Sequence, residues 1–298
     1  MIGDAALRRC LATHWGLPDA TVEAHHGGMN SATWFVGQGP TRWVAKAVDP
    51  AARRSFTGGL RVAATVAASS GVPTGAPVPT RDGALVANVD SIPLALLSWV
   101  PGEELTGATP DEQRLIGATL ARVHGPLRDA PAAGAERFHW VDPRAAKLSI
   151  RPWIRPAVTA AVAALDELDP RSLSQGLLHT DPAPEAFRLD RATGACGLID
   201  WSVAMSGPLL YDLASAVMYV GGPDRAEPLL ESYLDQRVMP RAEVERGLLV
   251  MLRFRWAVQA DYFALRISTA DLTGIASAGE NEAGLADARR GLDGFTGA

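Results

Sequence analysis

The sequence predicts an α+β chain in two parts: a small strand-rich part with an antiparallel sheet over residues 1–100, and a larger, mainly helical part over residues 101–298. Strand-like runs with hairpin-like punctuation, "TVEAHH", "GGMNSATWFVG" and "TRWVAKAV", fill the first part. The pair "PG" at 101–102 breaks this pattern, and apolar runs with helical spacing dominate after it. A chain of 298 residues is also longer than one ordinary core needs, which favours two lobes.

The individual elements follow from local signals. Residues 4–15 are predicted to form a short helix, and "GGLRVAATVAASS" (58–70) a second helix that stops at "GVP". The runs "GALVANV" and "IPLALLSWV" favour two more strands before the break. Beyond it, Thr109 is the predicted N-cap of a helix with Pro110 at its first position. Two short strands, "GLLHT" and "CGLID", then interrupt a series of helices.

Composition narrows the classes of function. The net charge of −5 argues against a general nucleic-acid binder, and no apolar run approaches the ~20 residues of a membrane helix. Cys10 and Cys196 give neither a disulfide framework nor a metal-type pairing. No secretory signal is recognisable at the N-terminus, so we expect a cytoplasmic protein without nucleic-acid or membrane partners. The oligomeric state cannot be read from the sequence.

Two aspartates stand at the ends of apolar runs. Asp181 follows "GLLHT" and Asp200 follows "CGLI", with the turn-rich stretches "PAPE" and "DRATG" between them. If the two runs pair as a hairpin, both carboxylates lie at one edge, where they are unfavourable unless a cation or proton sits between them. Phosphoryl transfer from Mg-ATP uses such a pair, since one carboxylate accepts the hydroxyl proton and the other holds Mg²⁺. Two ordinary surface aspartates at turns remain the alternative.

Four motifs carry a resemblance to a known family. "LARVHG" is similar to L-x-x-L-H-x, "HTDPAPEAF" to the catalytic loop H-G-D-x-x-x-x-N, "GLIDW" to the metal-binding turn I-D-[WF], and "GPLLYDLA" to G-D-P-x-x-D-L-A. In this order they resemble the aminoglycoside phosphotransferase and choline kinase-like family, small-molecule kinases with a bilobal protein-kinase-like fold. The resemblance implies ATP and Mg²⁺ as cofactors, a small hydroxylated molecule as acceptor, Asp181 as catalytic base and Asp200 as the Mg²⁺ ligand. His179 and Asp212 are expected to support the loop rather than react.

The resemblance also places the nucleotide against the first part. Lys46 in "WVAKAV" matches the strand lysine that contacts the nucleotide phosphates; an exposed strand lysine is the alternative. "HHGGMNSATWFV" would be the nucleotide loop, in which Asn30 and Ser31 offer donors to phosphate. "LALLSWVPG" resembles the hinge between the lobes, whose backbone groups near Ser98 and Val100 would hydrogen-bond the adenine.

The catalytic loop departs from the family pattern at two positions. The family's asparagine, five residues after the catalytic aspartate, falls on Ala186, which cannot ligate a metal. We expect the neighbouring Glu185 to supply an oxygen to the metal instead. Thr180 replaces the loop glycine, so a positive φ at this position would be strained in a β-branched residue.

A third departure concerns the strand lysine. Kinases of this shape usually pair it with a helix glutamate, but no acid occurs between Asp49 and Asp82. Lys46 is then left to the nucleotide, to Asp200 or to an acid from elsewhere in the chain. These departures leave a second interpretation open, a catalytically weak or inactive kinase-like protein that binds nucleotide or a partner.

The acceptor is expected against the second part, where "RFRWAVQADYFALRI" is the candidate wall. Asp261 and Tyr262 are the predicted substrate-facing residues, and a partly buried amphipathic helix is the alternative for most of the run. The irregular stretch 137–153 is a candidate lid. Its basic residues favour an anionic or neutral acceptor, whereas the acidic second part favours a cationic one. Antibiotic inactivation, sugar phosphorylation and amino-alcohol phosphorylation therefore all stay open.

Overall fold

The computed structural model describes residues 2–25, 31–131, 135–138 and 141–295, so Asn30 lies outside the described residues. The first part combines helices with one antiparallel sheet. Its elements are α1 (Asp4–Trp15), β1 (Thr21–His25), β2 (Ala32–Gln38), β3 (Thr41–Ala47), α2 (Arg53–Ser69), β4 (Pro77–Val78), β5 (Ala87–Val89) and β6 (Ile92–Ser98). The sheet has the order β1-β2-β3-β6-β4, and β5 also pairs with β6. The predicted antiparallel arrangement is therefore present.

The second part is mainly helical, with short strands between the helices. Its elements are β7 (Glu103–Glu104), α3 (Pro110–Leu127), β8 (Glu136–Arg137), α4 (Ile154–Leu168), β9 (Gln175–Leu178), β10 (Phe187–Asp190), β11 (Ala195–Leu198), β12 (Met205–Pro208), α5 (Leu210–Tyr219), α6 (Glu227–Leu234), α7 (Arg241–Ser268) and α8 (Ala278–Asp293). No helix in the described part of the chain has the length and apolar character needed to cross a membrane.

The strand pairing corrects one prediction. The runs that precede Asp181 and Asp200 do not form a hairpin with each other, because β9 pairs with β12 whereas β11 pairs with β10. The stretch "DRATG" is the turn of the β10–β11 hairpin, in which Asp190 accepts hydrogen bonds from Ala192 and Thr193. The two aspartates are thus carried by two separate sheets.

Local signals explain most helix ends. The hydroxyl of Thr109 accepts a hydrogen bond from the Glu112 N–H at 3.3 Å, so the predicted cap of α3 is present. Helix α2 begins at Arg53 rather than at the predicted Gly58. The reason is that Asp49 caps a 3₁₀ turn, which leads directly into the helix.

Two main apolar cores hold the fold. The smaller one lies between α1 and the first sheet and includes Leu7, Leu11, Trp34 and Leu94. The larger one is built mainly from helices of the second part, but Val62, Ala63 and Val66 of α2 also belong to it. Helix α2 therefore packs with the second part although it lies in the first part of the sequence.

Candidate active site

The loop after β9 carries Asp181 in a tightly bonded backbone. The N–H groups of His179 and Thr180 donate to the carboxylate of Asp212 on α5, at 2.7 and 2.8 Å. Thr180 has φ +74°, and its hydroxyl donates to the Val203 carbonyl at 3.0 Å. The loop position does require a positive φ, which costs a β-branched residue about 1–3 kcal/mol. These three hydrogen bonds offset that strain and fix the direction of the loop.

Asp212 is itself held by a buried chain of side chains. Its carboxylate lies 3.1 Å from Nε2 of His124 on α3, and Nδ1 of the same ring lies 2.8 Å from the hydroxyl of Tyr233 on α6. All three side chains are fully buried. A neutral ring protonated at Nε2 satisfies both contacts, since it donates to the carboxylate and accepts from the tyrosine. Three helices are thus connected to the loop through one carboxylate, which gives Asp212 the supporting position expected for it.

The Asp181 carboxylate is half exposed to a large cleft, and one of its oxygens has fixed partners. Oδ1 accepts hydrogen bonds from the hydroxyl of Tyr219 and from Nη2 of Arg255, the latter at 3.2 Å. Burial and the neighbouring Asp181 charge raise the pKa of Tyr219, so the phenol is a hydrogen-bond donor at neutral pH. Oδ2 receives no hydrogen bond from the described residues and is the oxygen available to an acceptor hydroxyl.

Asp200 follows β11 in a turn with φ +72°. Nζ of Lys46 lies 2.6 Å from its Oδ1, and the hydroxyl of Ser202 donates to the same oxygen at 2.9 Å. Partial desolvation raises the pKa of Asp200, but the Lys46 charge and these hydrogen bonds outweigh it and hold the pKa below its ordinary value. The structure thus pairs the strand lysine with Asp200 in place of a helix glutamate, one of the partners that the sequence left open.

His179 joins the loop to the Asp200 turn. Its Nε2 donates to the carbonyl of Ile199 at 2.7 Å, its Nδ1 accepts from the Asp181 N–H at 3.3 Å, and its ring packs edge-on against Trp201. Both ring nitrogens are therefore occupied by backbone groups. The side chain supports the two aspartates and is not placed to react.

Helix α2 touches the same turn through bare backbone. A Cβ at Gly59 would collide with the carbonyl oxygen of Trp201, the residue after Asp200. Only glycine permits this approach. The helix that lacks an acid thus lies directly against the Asp200 turn.

One cleft of about 1630 Å³ is lined by Ser31, Asp181, Glu185, Asp200 and residues of α7 and α8. Glu185 is exposed, whereas Ala186 is buried. No cluster of three or more His, Cys, Asp or Glu suited to a metal occurs among the described residues. Mg²⁺ nevertheless fits this donor set, because it is usually held by one or two carboxylates together with substrate phosphates. The low pKa of Asp200 keeps one such carboxylate ionised.

The segments that carry the loop, the Asp200 turn and Lys46 all lie within one match to a known family. The model of the phosphotransferase enzyme family matches residues 21–244. The chain belongs to this family. The resemblance carried by the four motifs is therefore confirmed.

Curated relatives of this chain include homoserine kinases. That of Azorhizobium caulinodans is 26% identical over 249 residues, which cover 76% of this chain and 75% of the relative. That of Sinorhizobium fredii is 30% identical over 147 residues, which cover 46% of this chain and 44% of the relative. This match therefore spans less than half the length of the relative.

Solved structures share the fold at low identity. A microcompartment-associated aminopropanol kinase has a TM-score of 0.76 and 18% identity, with 97% of this chain and 95% of that chain covered. Choline kinase LicA from Streptococcus pneumoniae has a TM-score of 0.70 and 12% identity, with coverages of 98% and 99%. The GDP complex of aminoglycoside 2'-phosphotransferase-IIIa has a TM-score of 0.70 and 15% identity, with the same coverages. The predicted kinase-like fold is confirmed.

On the side predicted to bind the nucleotide, the backbone contacts expected near Ser98 stay a prediction. The N–H of Ser98 itself donates to the Ala76 carbonyl at 2.9 Å, because β6 runs on to this residue. Val100 is buried beside Gly75 and Gly197, and its backbone role stays a prediction. Ser31 lies in the cleft, as a phosphate contact requires.

The acceptor side of the cleft contains both predicted residues. Asp261 forms an ion pair with Lys147 at 2.8 Å, and the two side chains are 18% and 23% exposed. Tyr262 contacts Arg266 through its hydroxyl at 3.3 Å and also faces the cleft. Burial is the main cause that raises the pKa of Tyr262, and the Asp181 charge adds to it. Both predicted residues thus line the same cleft as Asp181.

Sequence reasoning missed Tyr219 and Arg255 as partners of Asp181. A signal for one of them exists, because Asp212, Ser215 and Tyr219 recur at intervals of three and four in the otherwise apolar helix α5. This polar stripe faces the loop, and Nε of Arg255 donates to the Ser215 hydroxyl at 3.1 Å. Arg255 itself lies on α7, forty residues away from Ser215, and its convergence on Asp181 depends on how the helices pack.

Proposed function

We propose that this phosphotransferase moves the γ-phosphoryl group of Mg-ATP to a hydroxyl of a small molecule. The observation that carries the proposal is that Asp181 and Asp200 face one cleft, the first with a free carboxylate oxygen and the second paired with Lys46. The curated relatives, which are named homoserine kinases, support a small hydroxylated metabolite over an antibiotic or a sugar.

In the proposed step, Oδ2 of Asp181 accepts the proton of the acceptor hydroxyl. The hydroxyl oxygen bonds to the γ-phosphorus while the bond from phosphorus to the ADP oxygen breaks. Tyr219 and Arg255 hold Oδ1, so that Oδ2 is directed at the acceptor. Positioning of this kind supplies much of the catalysis in phosphoryl transfer.

The nucleotide would be held by residues of both parts. Bound Mg²⁺ would neutralise charge on the phosphates, with Asp200 as a ligand and Glu185 as the proposed second oxygen donor. Lys46 would pass from Asp200 to a phosphate oxygen or contact both. Ser31 and Asn30 would donate to the phosphates, and the backbone at Val100 would contact the adenine.

A second candidate is a nucleotide-binding protein with little transfer activity. The specific observation behind it is Ala186, which is buried where the family pattern has a metal-ligating asparagine. The pairing of Lys46 with Asp200 favours the active enzyme, because the lysine keeps a carboxylate in the metal position despite the missing helix acid.

Calorimetric titration with ATP, with and without Mg²⁺, separates the two candidates. We expect tight Mg²⁺-dependent binding by the wild type and loss of it in Asp200→Ala. Phosphorylation of homoserine, aminopropanol, sugars and aminoglycosides is then measured with wild type and Asp181→Asn. Binding without transfer to any acceptor favours the weak relative, and a folded protein without nucleotide affinity contradicts both candidates.

A further inference from the structure

The cleft contains an ion pair that the proposed transfer does not use. Lys147 comes from a 3₁₀ turn (Ala146–Ser149), and Asp261 comes from α7 on the facing wall. Both side chains line the cleft that holds Asp181. Arg290 and Asp287 form a further pair in this cleft that the transfer does not use, but it joins neighbouring turns of one helix and is largely exposed. The Lys147–Asp261 pair is instead mostly buried and bridges two walls.

The Lys147 side of the pair is anchored. Arg155 on α4 donates to the carbonyls of Pro143 and Ala145 at 2.7 and 3.1 Å and to the Ser149 hydroxyl at 2.7 Å. Leu148, the residue after Lys147, is fully buried. The described part of the candidate lid is therefore tied to α4 and presents Lys147 as part of a wall.

The Asp261 side of the pair is incompletely satisfied. Lys147 occupies Oδ2, whereas Oδ1 is shielded from solvent and receives no hydrogen bond from the described residues. A buried carboxylate oxygen without a donor is unfavourable. A ligand group with several N–H donors, such as an ammonium, would satisfy it.

Charge balance then selects the ligand. An ammonium alone would take Asp261 from Lys147 and leave the lysine without a partner, and a carboxylate alone would leave Asp261 without one. A molecule that carries both groups replaces one ion pair by two, and no charge is left unpaired. This also reconciles the basic stretch 137–153 with the acidic second part, because each wall contributes one charge to the same ligand.

The distance to the base sets the size of the ligand. Arg255, which contacts Asp181, and Asp261 are six residues apart on α7, or about 9 Å along the helix axis at ~1.5 Å per residue. Asp181, Lys147 and Asp261 line one cleft within this length of α7. We therefore take a short chain of a few carbons as the ligand that joins the base to the ion pair.

Resting on the proposed kinase function, we propose that the Lys147–Asp261 pair opens to hold the acceptor, a short hydroxylated amino acid. Its carboxylate binds Lys147, its ammonium binds Asp261, and its hydroxyl faces Asp181. Homoserine has these three groups and is the test compound. Two analogues each lack one charged group: 3-amino-1-propanol has no carboxylate, and 4-hydroxybutyrate has no ammonium.

The test measures kcat/KM for the three acceptors with Lys147→Met and Asp261→Asn. We expect wild type to prefer homoserine by at least ~10-fold over both analogues. Lys147→Met should lower kcat/KM for homoserine about 10- to 100-fold, mainly through KM. The value for aminopropanol should stay the same or rise, because its ammonium no longer competes with the lysine for Asp261. Asp261→Asn should lower kcat/KM for homoserine and for aminopropanol but not for hydroxybutyrate. The matched control is Arg151→Met, which removes a 2.8 Å pair between the same segment and α8 outside the cleft and should leave these ratios unchanged.

Two further measurements keep the outcome decisive. The double variant Lys147→Asp, Asp261→Lys exchanges the two charges and should keep an ion pair and the fold, but its kcat/KM for homoserine should fall. An undiminished kcat/KM for homoserine overturns the proposal. Equal losses for all three acceptors in Lys147→Met also overturn it. Calorimetry with homoserine and the folded wild type measures the affinity of the ion-pair site independently of phosphoryl transfer. If homoserine binds to the wild type but not to Lys147→Met and is not phosphorylated, the ion-pair site is supported and the kinase function is contradicted. If other acceptors are phosphorylated and homoserine does not bind, the kinase function is supported and the ion-pair site is contradicted.

Discussion

The two aspartates of the cleft are held in different ways. Asp181 depends on the second part of the chain alone, through Asp212, His124 and the side chains at its Oδ1. Asp200 is joined to the second part through His179, but it also depends on the first part, because Lys46 of β3 binds its carboxylate and α2 packs on its turn. The position of Asp181 is therefore set by the larger core. The position of Asp200 depends in addition on how the strand-rich part packs on that core.

The largest expected effects come from removing either carboxylate, and they separate binding from chemistry. Asp200→Ala should abolish Mg²⁺-dependent ATP binding and lower turnover by ~10²–10⁴ or more, since positioning and electrostatics carry most of the reaction. Calorimetry and initial rates measure both. Turnover near the wild-type value in this variant would remove Asp200 from the metal site.

Asp181→Asn should lower kcat by about 10²–10⁴ and leave the dissociation constant of Mg-ATP unchanged, because the amide cannot accept the hydroxyl proton. Steady-state rates and nucleotide titration on one preparation test this. A parallel loss of nucleotide affinity would show that the two aspartates are not held independently.

His124→Phe breaks the buried support of the loop. Asp212 loses a buried donor, so the free energy of unfolding should fall by about 1–3 kcal/mol and turnover should drop with it. Tyr233→Phe is the milder companion, at about 1 kcal/mol. Denaturant titration measures both. Because these buried side chains support Asp181 and lie in the second part, the affinity for Mg-ATP should be retained. A loss of that affinity would contradict the view that the two aspartates are held in different ways.

Gly59→Ala tests the contact of α2 with the Asp200 turn. The added methyl group collides with the Trp201 carbonyl, so we expect about 1–3 kcal/mol of destabilisation and weaker Mg-ATP binding. Gly125→Ala is the matched control, since no atom lies within 4 Å of a Cβ at this helical position and alanine should be neutral or slightly stabilising there. Similar results for the two variants would mean that the α2 contact is unimportant.

The smallest expected effect is a pH shift in Lys46→Met. The lysine charge lowers the pKa of Asp200, so its removal lets partial desolvation raise that pKa. The carboxylate must be ionised to bind metal, and the acidic limb of Mg-ATP binding should therefore move to higher pH. Titrations with Mg-ATP at several acidic pH values measure this shift. Weaker binding with an unchanged pH dependence would mean that Lys46 acts on the nucleotide alone.

The sequence predicted the parts of the site that are encoded locally. The loop with Asp181, the turn with Asp200 and the strand with Lys46 each lie in a short recognisable segment. Thr180, which replaces the family's loop glycine, does have a positive φ. Contacts between distant segments were not predictable in this way. Tyr219 and Arg255 meet at Asp181 only because α5 and α7 pack together, and no spacing in the sequence encodes that meeting.

The wrong strand pairing has a physical origin. The hairpin between the aspartate strands was predicted because neighbours in sequence were assumed to pair, whereas β9 pairs with β12. A long-range partner thus took the backbone groups that local reasoning had assigned to a neighbouring strand.

The contact at Gly59 has a consequence for regulation. An enzyme that is switched by swinging a helix needs side chains that can separate and pair again, but here the helix backbone lies on the turn and its apolar face is shared with the larger core. We expect α2 to have no second resting position. The rate should then follow the concentrations of ATP and acceptor, and rapid-mixing traces should show no lag before steady turnover.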